Sequence, residues 1–209
     1  MAIELFTVAT AQTPGLARLQ ASLSKFGVPI TILSENEPQF WGLCWKWKTF
    51  IRACKASSAD VVIFCDGYDS LCLESLAGMA PKFASLGHPI VFSYEPQAQP
   101  EFWLELNTGL MMADRNALLA VFNDKTLEEF FPDHFNDQYQ IQSMYSWEPT
   151  AFLVDRQGVL FHTLGPRSQE LVVKNNRLEN PNTGKSPSFV HGPNNWDLSK
   201  VEQWVNAQN

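Results

Sequence analysis

The run Val61-Val62-Ile63-Phe64-Cys65-Asp66-Gly67-Tyr68-Asp69 decides how the rest of the chain is read, because five apolar residues lead without a break into two acids three positions apart. An apolar run with no polar alternation is buried on both faces, the habit of a central strand in a parallel sheet. Open α/β sheets hold ligands at the carboxyl ends of such strands, so Asp66 and Asp69 stand where a metal or an anionic substrate belongs. Two carboxylates at i and i+3 can share one hard divalent cation, Mn²⁺ or Mg²⁺, with water or phosphate in its other positions. The same spacing also arises when Asp66 caps a turn and Asp69 is a solvated loop acid, and the pair alone leaves both readings open.

Working outward, Ile3 to Val8 reads as a first strand and Leu16, Leu19, Leu23 and Phe26 recur at helical spacing behind Pro14 until Gly27 closes the segment. Val28 to Leu33 is a second strand, which makes the first thirty residues a β-α-β unit with parallel strands. A helical pattern opens at Trp41 and ends near Ser57-Ser58, another runs from Leu73 to Leu86, and Pro89 to Ser93 is a fourth strand. Glu95 to Glu101 reads as an irregular pocket edge, Leu110 to Ala113 as a short strand, and Asn116 to Phe122 and Phe135 to Met144 as helices. Ala151 to Asp155 and Val159 to His162 suggest an antiparallel hairpin around Arg156-Gln157-Gly158. Asn175 to Ser188 has the composition of a mobile loop or lid, and Leu198 to Val205 closes as a helix. The expected fold class is α/β, a three-layer Rossmann-like sandwich with a mixed, mostly parallel sheet, as one domain over residues 1–209.

Bulk composition narrows the classes of function. Fifteen Lys+Arg against 22 Asp+Glu give a net charge of −7, with no basic patch, which argues against nucleic acid as a partner. No apolar run reaches the roughly 18 to 20 residues that span a bilayer, and no secretory signal opens the chain, so a stand-alone soluble protein is expected. Cys44, Cys54, Cys65 and Cys72 lack metal or redox spacing and sit among apolar residues, the pattern of reduced thiols in a cytoplasmic protein. Trp45, Trp47, Trp103 and Trp196 are candidates for stacking on a base, a sugar or an acceptor, or for the core.

His191 ends another apolar run and is followed by Gly192-Pro193-Asn194-Asn195, a loop that lets backbone approach a ligand. An imidazole suits Mn²⁺ better than Mg²⁺, so Asp66, Asp69 and His191 form a candidate metal trio, while a lone His is otherwise an ordinary structural residue. A haloacid-type phosphatase would need its second Asp two residues after the first, which Asp66-Gly67-Tyr68-Asp69 does not provide.

Seven blocks stand in the order of one family: Phe6-Thr7-Val8-Ala9-Thr10-Ala11, Phe64 to Asp69, Phe92-Ser93-Tyr94-Glu95, Leu106-Asn107-Thr108-Gly109, Asn136-Asp137-Gln138, Leu153-Val154-Asp155 with Leu160-Phe161, and Val190-His191-Gly192. The chain thereby resembles the GT-A glycosyltransferase domain of procollagen lysyl hydroxylases and related collagen galactosyl- and glucosyltransferases. The resemblance implies a Mn²⁺-dependent transfer of glucose or galactose from a UDP-sugar to a hydroxyl acceptor, with Asp66, Asp69 and His191 as metal ligands. It further implies that Thr7, Val8, Ala9 and Thr10 hold the uridine beside Asp66, Gly67 and Tyr68. By the same resemblance Asn107 and Asp137 bind sugar hydroxyls and serve catalysis, and Gly192 with Asn194 meets the diphosphate. Lys46 or Lys48 could reach the phosphates from the second helix. Asp133-His134-Phe135-Asn136-Asp137 carries fewer acids than the family pattern, and Pro193-Asn194-Asn195 replaces its Asn-Gly, so the acceptor is left unidentified. The competing reading is a non-catalytic nucleotide-sugar or carbohydrate-binding domain of the same fold.

Overall fold

In a computed structural model, residues 1–96, 105–165, 168 and 170–208 are described. In chain order the elements are β1 (Ile3–Val8), α1 (Pro14–Lys25), β2 (Thr31–Leu33), α2 (Leu43–Ala56), β3 (Val61–Cys65), β4 (Ser70–Cys72), α3 (Leu76–Leu86), β5 (Ile90–Tyr94), β6 (Leu106–Asp114) and α4 (Arg115–Val121). They continue with α5 (Asp124–Phe130), α6 (Asp137–Trp147), β7 (Leu153–Asp155), β8 (Phe161–Thr163), β9 (Val172–Lys174), β10 (Arg177–Glu179), β11 (Phe189–His191), a 3₁₀ turn (Pro193–Asn195) and α7 (Ser199–Asn206).

Six strands form the central sheet in the order β2-β1-β3-β6-β5-β7. The β1–β2, β1–β3 and β5–β7 pairs are parallel, and β6 runs antiparallel to both of its neighbours. The sheet is therefore mixed and mostly parallel, as expected, and all five residues of β3 are buried. Alternate side chains of β3 feed two separate cores. Val62 and Phe64 pack with Trp47, Phe50, Phe92 and Phe122 on one face, while Val61, Ile63 and Cys65 join Leu19, Leu23, Met79 and Phe83 on the other. That division of apolar area between two helical layers makes the three-layer sandwich.

The hairpin expected over Ala151 to His162 does not form. Leu153–Asp155 pairs in parallel with β5 in the central sheet, and Phe161–Thr163 pairs in parallel with β11 in a separate three-stranded sheet of order β4-β11-β8. Asp155 causes the divergence: its carboxylate accepts the backbone N–H groups of Val159, Leu160 and Phe161 at 3.0, 2.7 and 3.0 Å. Those donors are thus satisfied by a side chain instead of a ladder, and the chain turns away toward the other sheet. The stretch expected as a loop from Asn175 also begins with regular structure, since β9 and β10 pair antiparallel around Asn175 and Asn176, both at positive φ (49° and 57°). Two consecutive left-handed residues give the tight turn that matches strand twist, and Asn tolerates that conformation better than most residues.

One irregularity positions the site. Phe92 of β5 faces Met111 of β6, yet the next residue, Ser93, faces Asn107, so Thr108, Gly109 and Leu110 have no partner on β5. The bulge lies at the end of β6 adjoining the carboxyl ends of β3 and β5, which is where open sheets hold ligands. A backbone hydrogen bond from Glu95 N–H to Glu105 C=O, at 3.0 Å, joins the chain leaving β5 to the chain entering β6.

Candidate functional site

Asp66 and Asp69 lie in the turn that carries the chain from β3 in the central sheet to β4 in the small sheet. The turn is fixed at both ends by backbone: Asp66 N–H donates to Gly109 C=O at 2.8 Å, and Gly192 N–H donates to Asp69 C=O at 2.8 Å. The β4–β11 register sets His191 opposite Ser70, which brings the imidazole over the two acids. Its Nε2 lies 3.3 Å from Asp69 Oδ1 and 3.7 Å from Asp66 Oδ2. One ligand atom from each of the three residues falls within 4.8 Å of the others, so the trio read from the sequence does come together.

His191 reaches this position because Gly109 has no side chain; a Cβ there would lie 2.1 Å from His191 Cε1. On its other side, Nδ1 stands 3.0 Å from Asn107 Oδ1, which also accepts Gly109 N–H at 2.8 Å. Asn107 Nδ2 donates to Glu95 Oε2 at 2.7 Å, so the amide oxygen is the acceptor toward the ring and Nδ1 carries the proton. Nε2 is left buried, without a hydrogen bond, facing two carboxylates. That arrangement calls for a positive charge between nitrogen and oxygens, a second proton or a shared cation. Two carboxylate oxygens and one imidazole nitrogen fit Mn²⁺, and a site with fewer nitrogen ligands would favour Mg²⁺.

Lys46 supplies the cleft's internal counter-charge. Only 7% of its side chain is exposed, and its ammonium group donates to Asp66 Oδ1 at 2.7 Å and lies 3.4 Å from Asp137 Oδ2. Burial would push Lys46 down, but Asp137 and Asp66 outweigh it and hold the ammonium above its ordinary value. Burial pushes the Asp137 carboxyl up, only partly offset by Lys46, and Asp66 raises it further. For Asp66 burial is overcome by Lys46 and His191, and the carboxyl sits below its ordinary value. For His191 burial is overcome by Asp69 and Asp66, and the ring sits above its ordinary value. The cleft thus keeps charged groups charged by pairing them, except at Asp137, the most desolvated acid.

Lys46, Asp66, Asp69, Asn107, Asp137, His191 and Asn194 all line one cavity of about 270 Å³. Asn136 caps α6 by accepting Gln138 N–H, which sets Asp137 at the first helical position with its carboxylate toward Lys46. Lys48 does not line the cavity; it pairs with Asp133 instead. The helix pattern held this signal, because Lys46 shares the i, i+4, i+8 stripe with buried Phe50 and Cys54 while Lys48 falls off it. Glu95, Thr108 and Gln138 also line the cleft and were not singled out from the sequence. Thr7, Val8 and Ala9 are buried at the end of β1 and do not line it. Thr10 and Ala11 N–H lie 3.1 and 3.3 Å from the Tyr68 hydroxyl, so the loop after β1 is tied to the acidic turn, and Gly67 packs against Thr7 Oγ1. Gly192 is buried beside Leu198, Trp47 is wholly in the core, Trp45 packs edge-on against Phe40, and Trp196 is 42% exposed. Trp103 lies outside the described residues.

Two solved glycosyltransferases share this GT-A architecture. One involved in the glycosylation of the major capsid of PBCV-1 matches with a TM-score of 0.55 at 13% identity, covering 99% of this chain and 100% of that one. Mouse xyloside xylosyltransferase 1 in its apo form matches with a TM-score of 0.57 at 11% identity, covering 93% and 98%. Identities this low show the fold. The family model described as the PLOD GT domain matches residues 1–207, and the chain belongs to that family. A procollagen-lysine,2-oxoglutarate 5-dioxygenase of Drosophila melanogaster is 25% identical over 232 residues, covering 96% of this chain, which spans 31% of the length of that relative. Among the described residues no helix is long and apolar enough to cross a membrane, and all four cysteines are free and buried.

Proposed function

We propose that this chain, as one catalytic domain, transfers glucose or galactose from a UDP-sugar to an acceptor hydroxyl, with Asp66, Asp69 and His191 holding a divalent cation, Mn²⁺ in preference to Mg²⁺. The observation that carries this reading is the orphaned, buried Nε2 of His191 facing two carboxylates at the edge of β3 in a glycosyltransferase fold. A cation bound there supplies positive charge to the diphosphate that departs with the nucleotide.

The chain's own residues do the rest. Asn107 fixes the imidazole tautomer and so keeps the Nε2 lone pair turned toward the acids. Lys46 holds one Asp66 oxygen, leaving Oδ2 for the cation side of the cleft. Asp137 lies on the far side of Lys46, where it can orient sugar hydroxyls, and Asn194 lines the cleft where the phosphates would lie. Thr10 N–H, bonded to the Tyr68 hydroxyl, ties the loop after β1 to the acidic turn, and the uridine is assigned to the surface beside Tyr68 rather than to the buried Thr7, Val8 and Ala9. Positioning and electrostatics of this kind, without a strong nucleophile, supply the rate.

The test compares hydrolysis of UDP-glucose and UDP-galactose with and without Mn²⁺ in the parent and in Asp69→Ala. Loss of about a hundredfold or more in the variant, and dependence on metal in the parent, are expected for removal of one electrostatic group. Metal-independent turnover, or turnover untouched by the substitution, overturns the proposal. UDP binding with no turnover across a panel of sugars and acceptors would make the chain a binding domain instead.

A further inference from the structure

A second cavity, of about 240 Å³, lies beside the proposed donor cleft at the carboxyl ends of β5 and β7. It shares a wall one residue thick with that cleft. Along the extended chain leaving β5, Tyr94 and Pro96 line the second cavity while Glu95 between them lines the first. Thr163 of β8 lines the second cavity, and its strand partner on β11 is His191, which lines the first.

The chemistry of the lining selects the ligand. Thr163 is 1% exposed and its hydroxyl is buried without a hydrogen-bond partner. A buried hydroxyl with no partner costs free energy unless a ligand or water completes it. Asn180, Asn182 and Thr183 add neutral polar groups, of which Asn180 Oδ1 and Thr183 Oγ1 each accept one backbone N–H and keep further bonding capacity; the Ser168 hydroxyl is taken by Gly165, and the Tyr94 ring adds an apolar face. The charged groups are already engaged: the Asp155 carboxylate takes three backbone N–H groups, and Arg156 Nε donates to Glu105 at 2.9 Å. Among the described residues an anion or a metal ion therefore finds no uncommitted counter-charge, whereas a neutral polyhydroxyl ring finds matched partners. At about 240 Å³ the cavity offers room for a single sugar ring.

We infer that this cavity is a saccharide subsite for the acceptor, holding one neutral sugar ring next to the donor cleft. Its placement as an acceptor subsite rests on the transferase reading; its capacity to bind a sugar does not. Methyl β-galactoside and methyl β-glucoside are titrated into the metal-free, nucleotide-free chain and followed by saturation-transfer NMR, in the parent, in Thr163→Val and in Asn182→Trp. Asn182 is exposed, so its Trp variant fills the cavity mouth without entering the core. The expected result is weak binding to the parent, reduced up to about tenfold by Thr163→Val, the loss of one neutral hydrogen bond, and abolished by Asn182→Trp, with UDP and Mn²⁺ binding unchanged in Asn182→Trp. Absence of binding to the parent, binding that survives Asn182→Trp, or displacement of the glycoside by UDP with Mn²⁺ overturns the inference. Because the titration needs neither metal nor nucleotide, failure of the UDP-sugar reading leaves its outcome intact, and failure of the subsite leaves UDP-sugar hydrolysis intact.

Discussion

The central sheet and the small sheet contribute to the same cleft by different means. In the central sheet β1 has six residues, β3 five and β6 nine, and their side chains reach into two continuous apolar cores. In the small sheet β4, β8 and β11 have three residues each, and β11 alone delivers His191. Long strands with many apolar neighbours hold their position through area buried. Three-residue strands hold theirs through register and a few close contacts, such as that of His191 against Gly109. Stability and site geometry are therefore expected to respond to different residues.

Trp47→Ala should break the first side of that contrast most strongly. The indole is fully buried against Phe50, Phe64, Phe92 and Phe122. Its removal is expected to cost about 3–5 kcal/mol in urea unfolding, the range for large aromatic truncations. A loss under about 1 kcal/mol would mean the core on that face closes over the gap. Gly109→Ala probes the second side, since the added methyl must displace the imidazole; about 1–3 kcal/mol of overpacking is expected. Here the site should fail before the fold does, with Mn²⁺ affinity lost in a protein that still unfolds cooperatively. Retained Mn²⁺ affinity would show that His191 is not held by this contact.

The smallest effect concerns the thiols. Burial is the leading cause that pushes Cys44 and Cys72 from the ordinary 9.0 up to about 12. A thiol raised in this way stays neutral in the folded chain over a range where the unfolded chain is ionised, so stability is intact below pH 9.0 and falls as pH rises toward about 12. Thermal unfolding between pH 8 and 11 should show that decline, and a thiol reagent at pH 8 should label the four cysteines in urea but not in buffer. Rapid labelling of the native chain would place a thiol outside the core.

The same contrast explains what the sequence revealed. The β1-α1-β2 unit, α2 and β3 were legible because each buries a periodic apolar face, and Asp66, Asp69 and His191 were legible because each follows such a run. The small sheet was not, since three residues carry no period, and Asp155 imitates a hairpin turn by binding the next backbone donors itself. The mixed character of the central sheet was expected from that false hairpin and arises instead from β6. Lys46 and Lys48 stood as alternatives because a lysine on a helix is usually solvated, and only the stripe with Phe50 and Cys54 marks Lys46 as the buried one. Asn107 was read as a contact to sugar; it lines the cleft, and its amide also bonds to Glu95, Gly109 and His191, partners that no local pattern showed. Pairings of this kind depend on the bulge in β6, which no local pattern announces.

The hydrogen bond between Glu95 N–H and Glu105 C=O works as a clasp at the rim of both cavities. A chain clasped at its base can change length or sequence without moving the strands below it, because loop closure costs only about 0.6 kcal/mol for each doubling of length. The bulge at Thr108 to Leu110 thus lies between two stretches of pairing, Phe92 with Met111 on one side and Ser93, Tyr94 and the clasp on the other. The strands are therefore pinned on both sides of the irregularity, and the room that Gly109 leaves for the imidazole is framed by backbone pairing at each end.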